Sequence, residues 1–171
     1  MIQERLKELR VQMQERGIDI YIVPTSDFHQ SEYVGEYFKA RKYMTGFTGS
    51  AGTAVITKEE AGLWTDGRYF IQAEKQLEGS TVKLFKMGEE GVPKVEEYVK
   101  DHLTEGSCIG FDGRVMDAKS GEKYAKMAEE KKAALYVKED LVGNIWKDRP
   151  QLPANKAVSY THLRAHETVL D

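Results

Sequence analysis

The chain has 171 residues, 40% of them hydrophobic and 31% charged, with a formal net charge of -3. A single soluble domain is expected, because a chain of this length can bury roughly two-thirds of its unfolded surface. Acidic and basic residues are interleaved rather than blocked, which argues against a nucleic-acid or membrane-surface partner.

In chain order, Ile2, Leu6, Leu9 and Met13 fall on one helical face and Gly17 suits the stop. Met1 leads straight into this helix, with no signal peptide or transmembrane run. Ile18 to Val23 reads as a strand ending at Pro24. Asp27, with Gln30 three residues on, reads as a capping-box variant at a helix start. Ala51 to Thr57 and Gly62 to Thr65 read as two strands joined by the turn Lys58-Glu59-Glu60, which implies an antiparallel hairpin. Tyr69 to Leu77 reads as a helix and Thr81 to Lys86 as a strand. Pro93 suits the first position of a helix running to Leu103, with Val95 and Val99 inward. Cys108, the only cysteine, excludes an intrachain disulfide and makes a reducing cytoplasm the expected compartment. Its run Cys108-Ile109-Gly110-Phe111 suits a small core residue rather than a nucleophile. Ile109 to Asp112, Asp117 to Glu130, Ala134 to Val137 and Leu141 to Trp146 read as strand, helix, strand and short helix, before Pro150 and Pro153. The alternation predicts an α/β fold, with a mixed β-sheet flanked by helices. No internal repeat stands out.

Three groups invite a chemical reading. Gly46, Gly49 and Gly52 are spaced by three, but neither a dinucleotide fingerprint nor a phosphate loop has this spacing. Ser50 lacks the glycine two residues earlier that a hydrolase elbow requires; Thr48 stands there. These glycines are therefore expected to serve tight turns, with positive φ, and close strand packing. Asp27, His29 and Glu32 could form an acid–base or metal site. The capping role of Asp27 and a partly buried His29 beside Phe28 explain them without chemistry. The third group is Trp64-Thr65-Asp66-Gly67-Arg68-Tyr69-Phe70. Thr65 and Asp66 are good helix N-caps and Gly67 frees the turn. Arg68 breaks the local rule, since a cation in the first turn faces the positive end of the helix dipole. Pairing with Asp66 explains Arg68 structurally; a functional role is the other reading.

Four blocks stand in order along the chain: Ser26-Asp27-Phe28-His29-Gln30-Ser31-Glu32-Tyr33, Gly46-Phe47-Thr48-Gly49-Ser50-Ala51-Gly52-Thr53-Ala54, the Trp64-to-Phe70 block, and Ile145-Trp146-Lys147-Asp148-Arg149-Pro150. Together they resemble the N-terminal, creatinase/prolidase-type domain of aminopeptidase P (Xaa-Pro aminopeptidase) in its three-domain form. The resemblance extends to about Pro153, implying one domain over residues 1–153. It implies a creatinase-type fold with no catalytic residue and no metal ligand in this stretch. The chemistry of the family lies in a C-terminal domain, where two divalent ions, typically manganese, activate a water that cleaves the bond before a proline in second position. The N-terminal domain lines one wall of the cleft and aids assembly. Arg68 matches the family's peptide-contacting arginine, and its planar fork suits carbonyls and carboxylates. His29, Glu32 and Asp66 are expected as cleft support. The implied partners are a peptide with proline in second position, the missing second and catalytic domains, and a second copy in a homodimer. A stand-alone, non-enzymatic binding module on the same scaffold is the alternative.

The resemblance fades after Lys156, and residues 154–171 read as a linker and non-native tail. His162 and His166 are one helical turn apart beside Glu167, but the metalloprotease order His-Glu-x-x-His is not what stands there.

Overall fold

The computed structural model describes residues 1–154. The residues expected to form the tail, with His162 and His166, lie outside the described residues. Six strands form one mixed sheet: β1 (Ile20–Pro24), β2 (Thr53–Thr57), β3 (Ala61–Thr65), β4 (Lys83–Lys86), β5 (Cys108–Gly110) and β6 (Ala134–Tyr136), in the order β4-β3-β2-β1-β5-β6. The expected hairpin is present, with β2 antiparallel to both β1 and β3. The pairs β1–β5, β5–β6 and β3–β4 are parallel. Only β2 is therefore reversed, and the C-terminal ends of β1, β3 and β5 share one edge of the sheet.

Helices cover both faces, as strands with apolar residues on both sides require. On one face lie α1 (Ile2–Glu15), α2 (Ala40–Thr45), α3 (Phe70–Leu77) and α6 (Leu141–Ile145). Leu6, Leu9 and Met13 of α1 pack there with Met44, Leu77, Leu141 and the inward residues Tyr21, Val23, Ile56 and Leu63. On the other face α4 (Val95–His102) and α5 (Ala118–Glu130) bring Tyr98, Val99, Tyr124 and Met127 onto Ile20, Ile22, Val55, Trp64 and Ile109. Alternate residues of β1 thus serve opposite cores, as the period of a strand dictates. Trp64 is fully buried and stacks on Phe85 with ring centroids 4.0 Å apart.

The structure corrects several local expectations. Asp27 starts no helix. Its Oδ1 accepts the backbone N–H of His29 at 2.8 Å and of Ser31 at 3.0 Å, closing a turn in which Gln30 takes φ 58°. The first α-helix after it, preceded by a 3-10 turn over Glu36–Phe38, is α2, which periodicity does not announce, because six residues are too few for a face. Pro93 lies outside α4. Lys94 is the N-cap, and the Pro93 carbonyl accepts Trp64 Nε1–H at 2.8 Å. Gly46 and Gly52 have positive φ, but Gly49 does not. Gly49 is needed instead because a Cβ there would strike the Phe47 ring and come within 2.9 Å of Tyr69 Cδ1. Gly67 has no positive φ, and a Cβ there would find only Phe70, at 3.8 Å.

Candidate functional site

The candidate residues sit on the sheet edge formed by the ends of β1, β3 and β5. β3 delivers its last residue, Thr65, fully buried. Thr65 is no helix cap; its Oγ1–H donates to the Ala51 carbonyl at 2.8 Å. The chain then leaves the sheet into a single 3-10 turn, Gly67–Tyr69, before α3. Asp66 is the N-cap of that turn, and its Oδ1 accepts the Arg68 backbone N–H at 3.1 Å.

The same carboxylate takes the Arg68 side chain side-on. Nε–H donates to Oδ1 and Nη2–H to Oδ2, each at 2.9 Å. This bidentate geometry explains how a cation is tolerated at the start of a helical turn: the cap neutralises it in place. The pairing shifts both partners in the expected senses. Hydrogen bonding to Arg68 holds the Asp66 carboxyl below the usual carboxylate range. Hydrogen bonding to Asp66, followed by its charge, raises the Arg68 guanidinium. The Arg68 side chain is nevertheless 70% exposed. Nη1 makes no hydrogen bond among the described residues, so the guanidinium keeps one edge for an external acceptor. Tyr69, beside it, bonds Ser50 Oγ through its hydroxyl at 2.7 Å, and its ring lies 5.3 Å below the Arg68 guanidinium carbon.

His29 and Glu32 lie on the loop after β1. Both are exposed, correcting the partly buried histidine expected from its neighbour Phe28. Among the described residues neither side chain bonds to the other, or to Asp66 or Arg68. The structure therefore brings together Asp66 and Arg68 and leaves the other two apart. It also shows residues to which sequence reasoning gave no role. Arg41, only 4% exposed, donates from Nε to Thr25 Oγ1 at 2.7 Å, from Nη1 to the Phe47 carbonyl at 3.0 Å, and from Nη2 to the Gly49 carbonyl. Burial lowers its pKa to about 10. The only signal in the sequence was a lone arginine just before the glycine-rich block, which resembles any solvated helix cation. Arg149, in the last block, pairs with Asp140 and donates Nε–H to the Tyr37 carbonyl at 2.8 Å, so that block is held by packing.

This α/β architecture and these blocks define a class, the creatinase/prolidase-type N-terminal domain. The chain belongs to the Creatinase/Prolidase N-terminal domain family, which matches residues 5–139. It is 44% identical over 161 residues to aminopeptidase P2 of Arabidopsis thaliana, covering 91% of this chain and 22% of that protein. It is 46% identical over 159 residues to a probable Xaa-Pro aminopeptidase P of Pyrenophora teres, covering 90% of this chain and 24% of that one. Among solved structures it resembles the X-prolyl aminopeptidase of Caenorhabditis elegans, a cytosolic enzyme with a di-nuclear active site. The TM-score is 0.83 and the identity 35%, over 90% of this chain and 26% of that one. The chain thus spans about a quarter of the length of these relatives.

Proposed function

We propose that residues 1–153 of this chain are the N-terminal, non-catalytic domain of a cytoplasmic Xaa-Pro aminopeptidase. In this reading the parent removes the first residue of peptides with proline in second position. The domain lines one wall of the substrate cleft and aids assembly, with a homodimer as its expected form. Arg68 contacts the bound peptide, and Asp66 fixes the plane of its guanidinium. His29 and Glu32 are cleft support on the neighbouring loop. Among the described residues no three His, Cys, Asp or Glu side chains come together as a cation site. By resemblance to the family, the reading places two divalent ions, manganese, in the parent's catalytic domain.

The observation that carries this reading is the Asp66–Arg68 fork: an exposed guanidinium, oriented by its own cap, at a sheet edge of a domain in this family. Such orientation matters because a donor held in one plane loses less freedom when it binds. Two measurements test the reading. The chain alone, with manganese, should not hydrolyse a peptide with proline in second position. In the parent, restored from the natural gene downstream, Arg68→Ala should lower kcat/KM more than Asp66→Ala does. In the isolated domain the order reverses. Arg68→Ala leaves the denaturant midpoint unchanged, whereas Asp66→Ala removes a cap and costs about 1 kcal/mol. Chelator-sensitive turnover by the chain alone, or an Arg68→Ala parent whose activity merely tracks its folded fraction, would overturn the assignment. A natural stop codon after this domain would favour the stand-alone module.

A further inference from the structure

The triplet Asp66-Gly67-Arg68 occurs a second time, as Asp112-Gly113-Arg114, and the two have the same geometry. Asp112 Oδ1 accepts the Arg114 backbone N–H at 3.0 Å. Arg114 Nε–H donates to the same Oδ1 at 3.0 Å, and Nη2–H to Oδ2 at 3.0 Å. The corresponding three distances at Asp66 and Arg68 are 3.1, 2.9 and 2.9 Å. Both side chains stay largely exposed, 70% for Arg68 and 56% for Arg114. Like its counterpart, Arg114 Nη1 makes no hydrogen bond among the described residues. Hydrogen bonding to its aspartate raises the Arg114 guanidinium too. One turn follows β3 and the other follows β5. These strands run the same way, with β2 and β1 between them, so both forks stand on the same edge of the sheet.

Three strand spacings separate the two turns, roughly 14 Å, which is about four residues of extended chain. The loop after β1 leaves the same edge of the sheet. Phe28 lies under Arg114, with its ring centroid 5.3 Å from the guanidinium carbon. Tyr33 lies further along the same loop. Both aromatic residues are exposed, at 38% and 76%. The edge thus presents two oriented donor forks, one of them beside an aromatic ring, that of Phe28.

We propose that Arg114 is a second peptide anchor and that one extended peptide lies across both forks. This rests on the reading of Arg68 as a peptide contact and extends it to the length of peptide the edge accepts. The recognised groups are main-chain carbonyls rather than carboxylates. Each guanidinium is already neutralised by its own aspartate. A carboxylate at either fork would add a second negative charge beside that aspartate, whereas a neutral carbonyl takes the free edge of the fork without it. Arg114 was not singled out by the sequence because its triplet lies beyond the glycine-rich and tryptophan blocks. The repeat of three residues is its only signal.

The test is a titration of this chain, with arginine Nε–H signals followed by NMR, using Ala-Pro and an Ala-Pro-led hexapeptide. The hexapeptide should shift both Arg68 and Arg114. The dipeptide should shift only Arg68 and bind about fivefold more weakly, since the second contact is intramolecular once the first is made. Amidating the hexapeptide's C-terminus should change neither response. Arg114→Met should reduce the advantage of the hexapeptide to about one, with Arg68 still responding. A shift at Arg68 alone overturns the second anchor and leaves the first standing. A shift at Arg114 alone overturns Arg68 as a peptide contact and with it the bridging peptide, and a shift at neither overturns both anchors. A response lost on amidation overturns the carbonyl assignment. The wild-type signals decide these cases even if the Met variant fails to fold.

Discussion

The Arg41 guanidinium lies almost wholly out of water and donates to three acceptors, Thr25 Oγ1 and the carbonyls of Phe47 and Gly49. Its face also rests on the Phe47 ring, 4.7 Å from the centroid. Thr25 Oγ1–H in turn donates to the Gly52 carbonyl at 2.7 Å. One side chain therefore ties the end of β1 to the glycine-rich loop. No carboxylate pairs with it among the described residues, so carbonyl dipoles and the ring carry the charge. Burial lowers its pKa to about 10, which still leaves it charged at neutral pH. Replacing it with Met strands these acceptors in a closed space and should cost about 3 kcal/mol in a denaturant melt. Arg41→Lys should recover little of that, because a point ammonium cannot reach acceptors arranged around a planar fork. A lysine variant as stable as the parent would show that charge alone suffices. Arg68 and Arg114 make the opposite use of the same side chain: each is held by one carboxylate and presented to solvent.

At the scale of elements, short helices depend on their caps. Asp117 begins α5 and accepts the Ser120 backbone N–H at 2.9 Å; Asp27 and Asp66 close turns in the same way. All three carboxyls lie below the usual range. Bonding to Ser31 backbone is the main cause at Asp27, the Arg68 side chain at Asp66, and Ser120 at Asp117. A carboxyl whose folded pKa is depressed contributes stability above its unfolded value and loses it as pH falls through the folded one. The melting temperature should therefore hold from neutrality to about pH 5 and fall steeply below about pH 4. Asp117→Ala should cost about 1 kcal/mol at neutral pH and make the acid fall shallower. Equal slopes in the variant and the parent would remove Asp117 from this account.

For the whole molecule, the two cores close on themselves within the described residues. Their buried members run from Leu6 to Ile145. Trp146 then stacks on Tyr43 with centroids 4.6 Å apart, and Arg149 locks onto Asp140 and Tyr37. A chain ending at Pro153 should consequently melt at the same temperature as all 171 residues. A clear loss on truncation would show that the domain extends further. No helix of the described residues is long and apolar enough to cross a membrane.

The class, the mixed sheet and the positions of most elements are legible in the amino-acid sequence, because apolar period and turn residues are local signals. Ile2 to Met13 could only be an amphipathic helix, and Lys58-Glu59-Glu60 between two β-rich runs could only close a hairpin. It also pointed to Arg68, as a cation placed against a helix dipole. Where local rules offered two partners, it chose wrongly or not at all. Asp27 caps a turn rather than a helix because its loop must return across the sheet edge. Gly49 answers to an aromatic ring rather than to φ. His29 stays in water because no element packs over it. Only the tertiary structure decided that Arg41 is buried and that Arg114 stands on the same edge as Arg68. Strand order is a long-range property: the edge exists because β1 pairs with both β2 and β5, and those pairings join segments 30 to 90 residues apart, a distance no local pattern spans.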